Sequence, residues 1–88
     1  MVDIKKFKHE HRDFCNKYNK MLDLYYRGVS YLEGENINDN EIKKYIPLVT
    51  NYTKELSYML AQFRTITGEN MPDRILEGGF ILYDDMDY

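Results

Sequence analysis

The sequence has few of the features that cross-link, anchor or export a protein. It contains one cysteine, Cys15, which excludes an internal disulfide and leaves nothing that points to an oxidising compartment. It has no run of about 18 apolar residues, so no membrane-spanning helix is predicted. The first residues, MVDIKKFKHEH, lack the apolar core of a signal peptide. These features together predict a cytoplasmic protein.

Motifs for catalysis are also missing. The sequence has no GxGxxG or Walker-type loop, and Gly78-Gly79 is interpreted as a helix stop or hinge. A Ser or Cys nucleophile needs a nearby base and an orienting group, and only Cys15 has a histidine near it, His11. Asp84 and Asp85 are adjacent in the C-terminal tail, which makes a poor acid–base pair. We therefore predict that the protein is not an enzyme.

Soft metal ligands are limited to His9, His11 and Cys15. His11 and Cys15 share a helical face, but a zinc site normally needs three or four protein ligands. Glu10 or Asp13 would have to complete the site from a different face. We prefer the interpretation that His11 is partly buried and Cys15 acts as a small hydrophobic residue. No metal and no cofactor is predicted.

Length and composition indicate one globular domain. A chain of 88 residues buries roughly 60 to 70% of its extended surface, and 43% apolar with 31% charged residues is ordinary globular composition. The net charge of −3 is unevenly distributed. Residues 1–20 carry six Lys/Arg against three Asp/Glu, whereas residues 69–88 carry one against six. The many Lys, Asn, Ile and Tyr residues have AT-rich codons, which favours a low-GC bacterium or its phage as the source.

Apolar residues recur at helical spacing in two long segments. The first, about residues 3–33, keeps a heptad pattern that only His11 and Gly28 interrupt, and a helix of this length would measure roughly 45 Å. The second, about residues 39–67, has an apolar residue at every heptad core position. These positions are Ile42, Tyr45, Val49, Tyr52, Leu56, Met59, Phe63 and Ile66.

Residues 34–40, GENINDN, are predicted to form the loop between the two long helices. Asn38 or Asp39 is expected to cap the second helix, with Glu41 completing a capping box. Pro47 predicts either a kink in that helix or a split into two helices. Gly68 is suited to a left-handed cap.

A short third helix is predicted at about residues 72–77, followed by a tail over residues 78–88. The predicted fold is therefore all-α, an antiparallel helical hairpin with a short third helix and a C-terminal tail that is first apolar and then acidic. Two helices cannot cover their own wide apolar stripes. The short helix together with the tail could cover them, or a second copy of the chain could do so in a four-helix arrangement. The nine tyrosines favour an interface that is partly exposed to water. We predict a dimer.

The tail has two interpretations, which are compatible with each other. In the first, its apolar residues fold back and cover the open side of the hairpin, which brings the acidic end close to the basic first helix. In the second, they form an exposed docking strip for a partner, and the acidic residues contact a basic surface on that partner. The candidate partner-binding residues are Phe80, Ile81, Leu82, Tyr83, Asp84, Asp85 and Asp87.

A basic flank on the first helix, Lys5, Lys8 and Arg12, gives a competing hypothesis, since these side chains could contact phosphates. The negative net charge and the missing nucleic-acid-binding motifs disfavour it. The preferred function is a small non-enzymatic protein-interaction module, most concretely a regulator or inhibitor of a host or bacterial protein complex. The alternatives are a nucleic-acid-associated accessory protein and a structural or assembly component.

Overall fold

All regular secondary structure in the described part of the chain is helical. The computed structural model describes residues 2–34 and 38–82, and it confirms the all-α class. The helices are α1 (Ile4–Glu10), α2 (Arg12–Leu32), α3 (Asp39–Thr67) and α4 (Asp73–Gly78). The molecule is elongated and measures 45 × 27 × 20 Å. Within these residues no helix combines the length and the hydrophobicity that a membrane span requires.

The first long helix is interrupted at His11, which the sequence reading did not anticipate. The His11 backbone leaves helical geometry, with φ −127° and ψ 48°, and α2 starts at the next residue. The hydrogen-bond pattern nevertheless continues through this point, since His11 N–H donates to Phe7 O at 2.8 Å and Cys15 N–H donates to His11 O at 3.1 Å. The expectation of one helix over residues 3–33 is therefore wrong, because one residue, His11, divides this segment into α1 and α2.

The ends of α3 follow the predicted capping chemistry. The Asn38 side chain accepts a hydrogen bond from Glu41 N–H at 2.9 Å, and Gly68 closes the helix in the left-handed region with φ 79°. Pro47 lies inside the helix, on its exposed side. The split into two helices does not occur. A proline is tolerated there because the carbonyl that loses its amide partner can be hydrated.

Helices α2 and α3 form the antiparallel hairpin. Lys17 Nζ lies 3.6 Å from Glu55 Oε2 across the pair, and a Cβ atom added to Gly28 would lie 2.6 Å from Val49 Cγ2. As the residue number rises on α2 it falls on α3, so the two helices run in opposite directions. Gly28 marks a point where the helices approach closely.

The hydrophobic core occupies one half of the hairpin. Its buried members are Ile4, Phe7, Cys15, Tyr18, Leu22, Leu56, Met59, Phe63, Met71, Ile75 and Phe80. No described residue between Asp23 and Glu55 is buried. We call residues 23–34 and 38–55 the distal half and the rest of the structure the proximal half. Ile66 departs from the predicted heptad core, because it is 48% exposed.

Helix α4 and residues 79–82, the C-terminal segment, form the third layer over the proximal half. Ile75 of α4 is fully buried, and Phe80 is 4% exposed. Gly79 links them with φ 81°, and a Cβ atom there would lie 2.6 Å from Asn19 Oδ1. A side chain at this position would thus be strained and would also collide with α2. Of the two covers that the sequence suggested, the structure contains the one formed by the short helix and the tail.

Candidate functional site

The C-terminal segment is attached to α2 by hydrogen bonds to its main chain. Asn19 makes two of them, because its Nδ2 donates to Phe80 O at 2.8 Å and its Oδ1 accepts from Phe80 N–H at 2.7 Å. The amide group of Asn19 thereby pairs with Phe80 as a neighbouring β-strand would. This pairing satisfies a main-chain segment that has no ladder partner of its own.

Two tyrosines of α2 hold the end of α4 in the same manner. The hydroxyl of Tyr18 donates to Leu76 O at 2.9 Å, and that of Tyr26 donates to Glu77 O at 2.7 Å. The carbonyl groups in the last turn of a helix have no intrahelical partner, so these hydroxyls satisfy acceptors that would otherwise need water. Burial raises the pKa of Tyr18 from 10.0 to about 12, and the nearby Tyr26 hydroxyl adds to this.

Two of the three residues of the predicted basic flank hold the tail. Lys8 Nζ donates to Ile81 O at 2.7 Å, and Arg12 Nη2 donates to Leu82 O at 3.1 Å. Lys8 is only 8% exposed, so this carbonyl partner offsets part of the cost of burying its ammonium group. Lys5 lies exposed on α1. A phosphate that engaged all three side chains would have to displace the two carbonyl groups.

Phe80 fills an aromatic cluster in the proximal core. Its ring is stacked on Phe7 at a centroid distance of 5.9 Å and meets Phe14 and Tyr18 edge-on at 6.4 Å and 5.7 Å. Such ring pairs add roughly 0.5–1.5 kcal/mol each beyond the area they bury. The structure therefore uses Phe80 as a core residue.

The structure thus brings part of the predicted docking strip onto the hairpin. Phe80 is buried, and Ile81 and Leu82 are partly buried beside α1 and α2. Tyr83, Asp84, Asp85 and Asp87 lie outside the described residues, so the docking role of the tail stays a prediction. The sequence did not indicate the attachment by Asn19 and the two tyrosines, because side chains that hydrogen-bond to main-chain atoms carry no periodic signal.

Cys15 lies beneath this attachment and is fully buried. Burial raises its pKa from 9.0 to about 11, although Lys8 and Arg12 oppose the shift. The thiol is therefore protonated at neutral pH and is a poor nucleophile or metal ligand. The ring of His11 packs on Phe7 at a centroid distance of 4.7 Å. Within residues 2–34 and 38–82 no three His, Cys, Asp or Glu side chains are grouped in a way that could hold a metal ion.

The hairpin presents a face, centred on its distal half and extending into the proximal half, that α4 and the C-terminal segment do not cover. On α2, Lys17, Lys20, Leu24, Arg27 and Tyr31 repeat at spacings of three and four and form one ridge. A second ridge, on α3, consists of Lys44, Leu48, Asn51, Glu55 and Tyr58. We call the surface formed by these two ridges and the groove between them the uncovered face.

An apolar cleft of about 250 Å³ lies in the groove of the uncovered face. Its lining includes Leu24, Gly28, Tyr31, Leu48 and Tyr52, and among the described residues Arg27 is the one charged residue that borders it. Tyr31 and Leu48 are 41% and 39% exposed. The Tyr31 hydroxyl is hydrogen-bonded to Glu41, which raises the pKa of Tyr31 to about 12. This cleft can accept apolar side chains from another molecule.

The described part of the predicted docking strip, Phe80 to Leu82, and the apolar cleft therefore lie in different places. The prediction named the tail, whereas the described residues expose apolar side chains along the hairpin, including Leu48 in the distal half and Tyr58 and Ile66 in the proximal half. Comparison of the chain with protein-family models, with curated proteins and with solved structures gives no match.

Proposed function

We propose that the protein is a small non-enzymatic protein-interaction module that acts as a regulator or inhibitor of a protein complex. The uncovered face is the observation that carries this proposal. Apolar side chains line a cleft there, and no described residue between Asp23 and Glu55 is buried. Exposed apolar surface that is contiguous and bordered by polar residues is typical of protein-binding sites.

A binding role is also consistent with the chemistry of the proximal half. Its one thiol, Cys15, is buried and protonated at neutral pH. Lys8 and Arg12 are engaged by main-chain carbonyl groups of the C-terminal segment. Cys15, Lys8 and Arg12 therefore support the fold of the proximal half, and the proposal assigns recognition to the uncovered face.

Affinity capture with two matched variants tests the proposal. Leu48→Glu places a charge in the cleft, whereas Ile46→Glu places the same charge two residues away, at an exposed position that does not line the cleft. The tagged protein and both variants are incubated with nuclease-treated lysate of the source cell, and the bound proteins are identified by mass spectrometry. We expect the wild type and Ile46→Glu to retain a common set of proteins. The amount of these proteins retained by Leu48→Glu should be at least tenfold lower.

Two results would contradict this function. One is the failure of the wild type and Ile46→Glu to retain any common set of proteins; capture of the same proteins by both glutamate variants would instead show that binding does not use the uncovered face. The other is binding to DNA or RNA that weakens steeply as salt is raised, which would favour the nucleic-acid alternative. Circular dichroism of both variants checks that neither substitution unfolds the hairpin.

A further inference from the structure

From the shape and charge of the uncovered face, we infer that it binds an amphipathic α-helix whose apolar stripe is flanked by acidic residues. The inference rests on the proposed function and adds the chemical class of the partner. It goes beyond the tail hypothesis, because it assigns recognition to the hairpin itself.

The shape of the uncovered face fits a helix. Two parallel ridges border a groove, and side chains at spacings of three, four and seven on a third helix would lie between them. The close approach of Gly28 and Val49 brings the ridges together at the cleft. Leu24 and Leu48 both line the cleft, one from each ridge, which suits one apolar anchor from the incoming helix.

The charge of the uncovered face fits an acidic partner. Its two ridges contain four Lys/Arg residues and one acidic residue, Glu55, whereas the whole chain has a net charge of −3. Arg27 is paired with Asp23 at 3.0 Å and Lys17 with Glu55 at 3.6 Å. Lys20 and Lys44 extend the basic ridges on either side. Acidic flanks would thus meet the excess positive charge and speed the encounter.

Charge also argues against a second copy as the occupant of this face. A two-fold interface pairs the same surface with itself, so two faces with an excess of positive charge would be brought together. The acidic residues Glu33 and Asp39 lie at the loop end, beyond the lining of the cleft. A polynucleotide is less suitable than a helix, because its sugar–phosphate backbone has no apolar stripe to cover Leu24, Leu48 and Val49 in the cleft, although Arg27 at the border could donate to a phosphate.

A selection from a helix library tests the inference. Displayed 20-residue helices keep a fixed leucine stripe, and the flanking positions carry Glu, Gln or Lys in equal proportion. The full chain is used as the bait. We expect enrichment of Glu at the flanking positions. The selected peptides should bind Leu48→Glu at least tenfold more weakly than they bind the wild type. Their affinity for Ile46→Glu should lie within twofold of their affinity for the wild type. Lys44→Glu should also weaken these peptides at least threefold at low salt, and less as salt is raised.

The possible outcomes separate the inference from the function on which it rests. If Lys or Gln is enriched at the flanking positions of helices that bind the uncovered face, the acidic character of the partner is overturned, but a protein-binding function remains. Selected peptides that do not distinguish Leu48→Glu from Ile46→Glu, or no enrichment at all, overturn the assignment of this face to a helix. A homodimer in sedimentation that Leu48→Glu dissociates, or a single-stranded oligonucleotide that competes for the face, also overturns it. If Leu48→Glu unfolds, Leu48→Gln replaces it with the same expected order of affinities.

Discussion

In the proximal half of the hairpin the long helices are covered by a third layer, whereas in the distal half they pack mainly on each other, and the hydrogen bond from Tyr26 to Glu77 of α4 marks the limit of that layer. Both halves carry apolar residues at helical spacing. Leu56, Met59 and Phe63 are buried in the first, while Tyr45, Val49 and Tyr52 are only partly buried in the second. The difference shows that heptad spacing brings residues to a shared seam, and that a further layer is needed to remove them from water.

The comparison has an energetic consequence. Burying a large apolar side chain is worth about 1.5–3 kcal/mol, and a partly exposed residue gains only a fraction of this. We therefore expect the free energy of unfolding to come mainly from the proximal half. The distal half keeps apolar surface available at little cost to the stability of the fold.

The largest effect is expected from removing the part of the third layer that follows Gly79. A chain that ends at Gly79 lacks Phe80 and the hydrogen bonds of Asn19, Lys8 and Arg12 to the C-terminal segment. We expect a loss of at least about 4 kcal/mol, measured by urea denaturation. A chain that ends at Leu82 keeps all these contacts and serves as the control. Equal losses in both chains would mean that the segment does not stabilise the core.

Two leucines on α3 allow a matched comparison of the halves. Leu56 is 9% exposed and Leu48 is 39% exposed. Leu56→Ala should cost about 2–4 kcal/mol, because it leaves a cavity in the proximal core, and Leu48→Ala less than about 1 kcal/mol. Denaturation curves of the two variants measure both values. Similar costs would contradict the division into a stabilising half and an open half.

Stability should fall in alkaline solution because of the proximal core. The pKa of Cys15 is 9.0 when exposed and about 11 in the folded protein. Above pH 9 the unfolded chain loses this proton first, so the stabilisation is complete below pH 9 and is lost as the pH rises to 11. We expect a loss of about 2 kcal/mol between pH 8 and pH 10.5. Cys15→Ala should remove most of this dependence, and an unchanged slope would assign it to other groups such as Tyr18.

The smallest effect concerns the close approach of α2 and α3 at Gly28 in the distal half. Gly28→Ala improves helix propensity by about 1 kcal/mol, but the added methyl would lie 2.6 Å from Val49 Cγ2. We expect a net loss of up to about 1 kcal/mol. Adding Val49→Ala should recover part of that loss in a double-mutant cycle. A gain in stability from Gly28→Ala alone would show that the helices separate freely there.

Most of the fold could be predicted because its signals are local. The cap by Asn38, the left-handed Gly68 and the two long periodic segments each depend on neighbouring residues. The interruption at His11 could not be predicted, since no proline or glycine marks it. It accompanies contacts between distant parts of the chain, because Phe7 of α1 packs on Phe63 at a centroid distance of 4.8 Å and on Phe80 at 5.9 Å.

The candidate site was less predictable, because it too depends on contacts between distant parts of the chain. The composition of the tail indicated a function, but whether an apolar strip is exposed depends on what lies beneath it. Asn19, Tyr18 and Tyr26 could have been polar surface residues of an ordinary helix. Only the path of the C-terminal segment makes them its attachment points. The uncovered face followed from the same arrangement, since α4 and the segment reach only half of the hairpin.

The attachment by Asn19, Lys8 and Arg12 also bears on how freely the end of this chain can change in evolution. These side chains contact the main chain, and every residue type supplies the same carbonyl oxygen. Substitutions at positions 81 and 82 should accordingly be tolerated far better than substitutions at Gly79 or Phe80. Related chains would then retain a glycine followed by an aromatic residue and differ in the residues after it.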